Sequence, residues 1–418
     1  MLLASLRAGG ADGATVIREK LKRLADRAGR PISALLWVSD TASPERVAAA
    51  LHDSCECAIG GVGVHGLIGG GAGGEFRERE GLTVLAITLP DGASAVPFHS
   101  HADGLPQFAA DKWSQFTAAT SVSNSPHVMV LASPPTAPAL EGWLSRFDAA
   151  LPWARKVGGV LAGGDGRLWV GGEAHVGGAA GVALSGDSVR FDALVCQGAM
   201  PVGPSFEITA VEANLVRALD GKDVRTALAP ILEEHANAGG GGMMMAGISV
   251  PASRKSSSSG ESPGQSSSHA PGYVVRQVLG YFPEHSAISV GATHDLLSAP
   301  GARLRLHVFS AAHAREELDT RVRALAEEAR TRAGDGLHAP PAGGLLVSCL
   351  GRGEALFGHA GVEPTAMRSA LGTDLQLSGF FAGGEIGPVG NRTFAHTCGL
   401  AIEPCRPAAG CQAHHTPS

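Results

Sequence analysis

The sequence lacks an excess of positive charge. Lys and Arg number 33 against 39 Asp and Glu, a formal net charge of −6. A protein that tracks phosphates presents a basic face, so nucleic acid is not an expected partner. No apolar run reaches the roughly 18 residues that a membrane-crossing helix requires, so no membrane is expected either. Met1–Leu6 is too short for a signal-peptide core, and Asp12, Glu19 and Asp26 come too early for an acid-poor transit peptide. The cytoplasm is the expected location, a plastid the alternative. A disulfide pattern is lacking as well. The seven cysteines, Cys55, Cys57, Cys196, Cys349, Cys398, Cys405 and Cys411, are odd in number and scattered, with no CxxC. They indicate a reduced, intracellular chain without a disulfide framework. Metal-ligand spacing is absent too. His175, His307, His313, His396, His414 and His415 form no ligand pair, and the HxH of His99 and His101 has no third ligand nearby in sequence. Neither a metal nor a cofactor is expected.

Glycine is what the chain has in abundance, 58 residues, beside only 5% aromatics. Hydrophobic content of 44% and charged content of 17% suffice for a sizeable core and exclude global disorder. The glycines therefore belong to turns of a folded protein, which at this length holds two to three domains.

Hydrophobic periodicity alternates between strand and helix. A helix is expected over 12–28 with Val16, Leu21 and Leu24 on one side, and another over 43–52 with Ser43 as N-cap and Pro44 in the first helical position. Strands are expected at 33–38, 57–59 and 82–89. Between 127 and 235 the pattern gives strands at 128–131, 157–162, 182–184, 188–196 and 206–211, and helices at 140–150, 213–218 and 224–234. Beyond it come strands at 273–279, 287–290, 302–309, 345–349, 375–381 and 393–402, a helix over 316–332 with Leu318, Val322, Leu325 and Ala329 on one face, and short helices at 354–357 and 364–370. Met243–Met245 reads as a strand edge. The Ser/Gly/Pro-rich stretch 251–272 reads as a disordered insertion, and 406–418 as a flexible tail. The fold class is α/β: two related domains of mixed sheets with glycine-rich strand-exit turns, 28–235 and 236–405. An internal pseudo-duplication is expected. At an offset of 318, Gly61, Gly66, Ile68 and Gly69 align with Gly379, Gly384, Ile386 and Gly387, within the same order of elements.

Three constellations carry chemistry. Gly61–Gly66 fits GxGxxG after a strand, but no helix follows to meet a pyrophosphate. It reads as a tight turn close to backbone or ligand, with His65 either a carboxylate partner or a surface residue. Ser348–Gly353 follows a buried strand. There Cys349 is either a thiol activated by Arg352 and backbone N–H groups or a core cysteine, and Arg352 either clamps a carboxylate or ties down a loop. Phe380–Pro388 turns at Gly383 and Gly384 and sets Glu385 at a strand exit, facing an amine or satisfying loop N–H groups. Asn391 forms an Asx turn behind it. No acid/base carboxylate pair stands out.

These motifs resemble the FIST family (F-box and intracellular signal transduction). The N-terminal part of the resemblance lies in ALLWVSD (34–40), IGGVGVHGLIGGG (59–71), LTVLAITLP (82–90), HVMVLASP (127–134), KVGGVLAGGDG (156–166) and the segment 201–224. The C-terminal part lies in 273–291, 304–318, VSCLGRGEALFG (347–358) and SGFFAGGEIGPVGNRTFAHT (378–397). The resemblance implies a sensory module for a small ligand such as an amino acid, found beside signalling outputs in bacteria and beside an F-box in some ubiquitin-ligase subunits. The chain departs from the family pattern in three ways. The segment before Ala34 is too short for an F-box and no output domain is visible. The cysteine of the first glycine turn is replaced near Gly61. An Arg-Asp pair is missing at Ser310–Ala311. The expectation is a stand-alone, non-catalytic protein that binds a small carboxylate ligand and signals through a protein partner. Its expected site comprises Gly61, His65, Gly66, Cys349, Gly351, Arg352, Gly353, Gly379, Gly384, Glu385 and Asn391. The alternatives are a protein-binding adaptor of the ubiquitin pathway and a Cys349-dependent enzyme.

Overall fold

The computed structural model describes residues 2–9, 13–41, 43–63, 65–69, 74–76, 81–119, 125–186, 189–237, 239, 241–249, 272–334, 343–390, 392–396 and 400–406. Asn391, the expected insertion up to residue 271 and the tail beyond 406 lie outside the described residues.

One unit is built three times. It runs strand, helix, strand, helix, strand, hairpin, return strand. In the first unit these are Leu2–Gly9, helix Gly13–Ala28, Ala34–Ser39, helix Pro44–His52, Ala58–Val62, the hairpin Leu67–Gly69 with Glu75–Phe76, and Gly81–Thr88. In the second they are Ser94–Ser100, helix Ala110–Thr117, His127–Ala132, helix Leu140–Ala150, Lys156–Val160, the hairpin Arg167–Val170 with Glu173–Val176, and Ala179–Ser185. The third opens with Arg190–Phe191 and Leu194–Cys196 and is interrupted by a strand-rich segment from Ala199 to Phe309. It resumes with helix Ala311–Gly334, strand Gly343–Cys349, helices Glu354–Phe357 and Val362–Leu371, strand Gln376–Ala382, the hairpin Gly384–Val389 with Arg392–His396, and Leu400–Arg406.

In every unit the two central strands pair in parallel across a helical crossover, because a parallel pair cannot be joined by a tight turn. The return strand lies antiparallel beside the first central strand. The hairpin, however, leaves home. Leu67–Gly69 pairs with Gln376–Ala382 of the third unit, Gly384–Val389 with Lys156–Val160 of the second, and Arg167–Val170 with Ala58–Val62 of the first. The result is a cyclic exchange with pseudo-threefold character. Strands on both sides of residue 235 share three of the four sheets, and the expected α/β class with mixed sheets holds. The expected duplication captures two of three copies. It pairs Ile68 with Ile386, as the hairpin registers do, but sets Gly379 against Gly61 where the register equates it with Gly60. The turns between them differ in length.

Glycine makes the exchange sterically possible. Gly60, Gly158 and Gly379 occupy equivalent places in the second central strands. Each has a parallel partner on one side (Trp37, Val130, Leu346) and an incoming hairpin residue on the other (Trp169, Ile386, Ile68). A Cβ on Gly60 would overlap the Trp37 ring, and one on Gly158 or Gly379 would overlap the carbonyl oxygen of Val130 or Leu346. The first central strands Ala34–Ser39 and His127–Ala132 are buried along their whole length, as expected of strands covered on both faces.

Some local expectations change. Ile17 and Leu21 form the buried stripe of the first helix, while Val16 is 42% exposed, because a neighbour one residue away points about 100° round the helix. Ser43 stands at the helix N-cap with Pro44 behind it, yet its side chain makes no capping bond. The strands Leu2–Gly9 and Ser94–Ser100 escaped the periodicity reading. The expected helix at 213–218 is a strand, Leu215–Leu219, entered through Ala213 at φ 53°. Its neighbours override its helix propensity. Within the inserted segment, Ala199–Glu212 pairs with Arg303–Phe309 on one side and with Leu215–Leu219 on the other. Together with Met243–Ser249, Tyr273–Phe282 and Ala287–Val290 they close a six-stranded antiparallel barrel. Val216, Leu219, Ile248, Val274, Ile288, Leu304 and Leu306 fill its core.

His307 also sits in the barrel wall, 3% exposed, with Gly247 making room for its ring. Its Nδ1 lies 3.0 Å from the Arg305 carbonyl.

Two outcomes follow. Gly379→Ala should cost about 3 kcal/mol through forced overpacking, while Gly241→Ala, in open space, should be near neutral; urea denaturation midpoints compare them. Burial pushes the His307 pKa down to about 4, opposed by the Arg305 carbonyl. The unfolded chain therefore binds more protons between that value and 6.5. Stability from this group is complete above pH 6.5 and falls as pH drops towards 4, by up to about 3 kcal/mol. His307→Gln should flatten that window in a pH series of denaturation curves.

Candidate functional site

The turn after the strand Gly343–Cys349 is built around a buried ion pair. Arg352 and Glu363 are both 0% exposed, and Arg352 Nε donates to Glu363 Oε1 at 2.6 Å. Ser348 Oγ donates to the other carboxylate oxygen at 2.6 Å. The guanidinium lies over the Phe357 ring, 5.7 Å from its centroid. Glu363 stands in the first turn of helix Val362–Leu371, so the pair fastens the crossover helix to the strand it follows. Burial alone would lower the arginine's pKa, but the Glu363 charge and hydrogen bond hold it up. Cys349 is half-buried, and Gly351 N–H donates to its Sγ at 3.5 Å.

Part of the sequence-derived set comes together here. Cys349 pairs with Ala382 in the parallel register, at the exit of the strand that carries Gly379 opposite Leu346. Phe381 N–H donates to the Gly66 carbonyl at 3.1 Å, which brings the first glycine turn alongside. Gly353, at φ 63°, lies against the Phe381 ring and the Glu75 carboxylate. His65 is exposed at the rim of that turn, and Gly61 lies in the first sheet opposite Leu168. Gly384 and Glu385 leave for the second unit's sheet, where Glu385 faces Gly159 and is 0% exposed. The strand-exit turns thus form a packed junction with Arg352 and Glu385 inside it. GxGxxG runs into a strand, as its sequence context indicates.

A cleft of about 490 Å³ opens elsewhere, between the triplicated body and the barrel. Its walls include Asp103, Glu141, Arg146, Asp295 and Arg392. Helix Leu140–Ala150 forms one side and positions the rest. Its Glu141 reaches across to Arg276 of the barrel strand Tyr273–Phe282 in an ion pair, with Arg276 only 2% exposed. Burial raises the Glu141 pKa, opposed by Arg276, the Ala395 N–H and Arg392. Two turns further along the same face, Asp148 accepts hydrogen bonds from Thr393 N–H at 2.6 Å and Thr393 Oγ1 at 2.8 Å, and pairs with fully buried Lys156 at 2.8 Å. Asp148 and Glu141 together pin the strand that delivers Arg392 to the cleft mouth. Opposite, Thr293 caps the short helix carrying Asp295. Sequence reasoning missed these residues. The available signal was two acids seven positions apart, flanking the apolar stripe of Leu140, Trp143, Leu144 and Phe147. A second cleft of similar volume lies along helix Gly13–Ala28.

Removing the cation from the buried turn tests its role. Arg352→Ala should destabilise the chain by about 3–5 kcal/mol by stranding Glu363, as read from the urea midpoint.

Among the described residues, no helix is long and apolar enough to cross a membrane. A protein from Mycobacterium tuberculosis, itself uncharacterized, is 27% identical over 414 residues, 95% of this chain and 96% of its own length. An uncharacterized protein from Mycobacterium bovis is 32% identical over 263 residues, 60% of this chain and 61% of its own. The FIST N domain model matches residues 34–222 and the FIST C domain model residues 251–388. The first match takes in the barrel strands Ala199–Glu212 and Leu215–Leu219, the second takes in Tyr273–Phe282, Ala287–Val290 and Arg303–Phe309, and Met243–Ser249 lies between them; both contribute strands to the exchanged sheets. The chain belongs to the FIST family, whose domains are signal-transduction sensory modules.

Proposed function

We propose that this chain senses a small polar ligand bearing a carboxylate and an amine, an amino acid or a close relative, in the cleft between body and barrel, and signals through a protein partner. The cleft's mixed charge carries the reading. Apart from the mutually neutralised Glu141–Arg276 pair, its walls hold two guanidinium groups, Arg146 and Arg392, and two carboxylates, Asp103 and Asp295. That balance suits a zwitterion better than a simple anion, because each ligand charge meets an opposite one on leaving water. Arg146 already donates to the Ala102 carbonyl, so Arg392, exposed at the mouth, is the carboxylate's partner. The strand-exit residues Cys349, Gly351, Arg352, Gly353 and Glu385 lie apart from the cleft and act as a rigid frame of the body. Ligand bound between body and barrel favours one relative position of the two, which is the physical content of sensing.

A thermal-shift screen against free amino acids and organic acids tests the reading. A true ligand at 100 times its Kd should stabilise the protein by about 2.7 kcal/mol. Arg392→Ala should abolish the shift. Arg352→Ala should lower the starting stability and keep the shift. A screen without any shift, or a shift indifferent to Arg392→Ala, would remove the cleft from consideration.

A further inference from the structure

Glu141 stands where the body, the barrel and the cleft meet. It lies in the first turn of helix Leu140–Ala150, lines the cleft, and its side chain is 22% exposed. Its Oε1 is occupied twice. Arg276 Nη2 of the barrel donates to it, and so does Ala395 N–H of the hairpin strand Arg392–His396, at 3.3 Å. Its Oε2 accepts no hydrogen bond among the described residues, and it is not one of the buried polar atoms left without a partner. That oxygen is therefore both accessible and unused.

The carboxylate is fixed in its charged form by what lies behind it. Arg276 is 2% exposed, and a guanidinium does not give up its proton. A neutral Glu141 would strand that buried cation, so Arg276 holds Glu141 ionised against the burial that raises its pKa. The cleft's other acids are placed differently. Asp103 and Asp295 are exposed, and water screens most of what an exposed carboxylate gains from a cation. Glu141 is partly desolvated and already ordered at Oε1, so a charged hydrogen bond to its Oε2 is strong and costs little further ordering. The Arg392 charge also acts on it, and one strand carries both Arg392 and the Ala395 N–H.

We propose, on the reading of the cleft as the ligand site, that Glu141 Oε2 receives the ligand's ammonium and makes the cleft selective for amino acids over the same acids without the amine. Arg392 takes the carboxylate. The charges then balance: Glu141 and Asp295 against Arg276 and Arg392, with a zwitterion adding none. An acid that lacks the amine keeps only the Arg392 contact. The same bond ties recognition to signalling, because Glu141 belongs to the body and Arg276 to the barrel, and the ammonium settles on the carboxylate that joins them.

Calorimetric titration of the full chain tests the assignment. The panel sets each common L-amino acid beside the acid that lacks only its amino group, L-alanine beside propionate and L-glutamate beside glutarate. The amino acid that binds should do so at least about tenfold more tightly than its desamino partner. Glu141→Gln should bring the two within about threefold of each other by weakening the amino acid alone, whereas Asp295→Asn should keep most of the preference. Glu141→Gln leaves Arg276 unpaired, so the double variant Glu141→Gln, Arg276→Met, which removes both charges together, is measured beside it, with circular dichroism to verify folding. The wild-type comparison needs no variant at all. Equal affinity for both members of every pair overturns the role of Glu141 and leaves Arg392 and the cleft standing. A preference that survives both Glu141 variants, or that Asp295→Asn erases, also overturns it. Binding of no compound, or binding indifferent to Arg392→Ala, removes the cleft itself and the role of Glu141 with it.

Discussion

The structure depends on three hairpins being given away. Each unit completes a neighbour's sheet instead of its own, so the cost of an unpaired sheet edge is met only when all three are in place. The exchange is closed: first to third, third to second, second to first. No unit can leave without opening two sheets. The family-level division into FIST N and FIST C segments is therefore a division of sequence, since the third unit opens within the FIST N match and its central strands lie within the FIST C match. The barrel interrupts that third unit between Cys196 and Ala311, which ties its position to the strands it separates.

Closure explains why Arg352 and Glu385 are buried at the strand exits. In an open parallel sheet the carboxyl ends of the strands border a crevice and bind ligands. Here the end of one parallel pair is covered by the turn of the next unit: Phe381 N–H on the Gly66 carbonyl, Gly383 N–H on the Val160 carbonyl. Charge left in such a place needs its own partner. Arg352 has Glu363, and Glu363 also takes the Ser348 hydroxyl. A buried pair of this kind adds little net stability relative to a hydrophobic replacement. Its value is geometric, because only one placement of the crossover helix satisfies both groups.

Much of the secondary structure was legible in the sequence, for identifiable reasons. Helix 140–150 and strand 287–290 have strong periodicity and clean boundaries. The face of Leu318, Val322, Leu325 and Ala329 is buried as its spacing indicates. Leu215–Leu219 was illegible because the turn that joins it to Ala199–Glu212 runs through Ala213 and Asn214 without a glycine, and its other barrel neighbour, Ala287–Val290, comes from far along the chain. The triplication was half legible: LLWVS and LLVSC look alike, but the second unit spells its copy HVMVLA and has a longer turn before Arg167. At the cleft, Arg276 meets Glu141 only because barrel and body dock, and no local spacing encodes that.

The glycine excess can then be divided by cause. Some residues supply positive φ, as Gly177 and Gly178 do behind His175. Others sit in strands with ordinary extended backbone and exist for what they lack: Gly60, Gly158 and Gly379 have no side chain because a neighbouring strand or ring occupies its place. Gly159 belongs with them, since a Cβ there would press on Val347 and Ala382 of the adjoining sheet. A glycine-rich strand exit in this chain is thus first a sign of backbone meeting backbone. The cleft between body and barrel, where charge gathers away from those seams, is accordingly the proposed place of ligand chemistry.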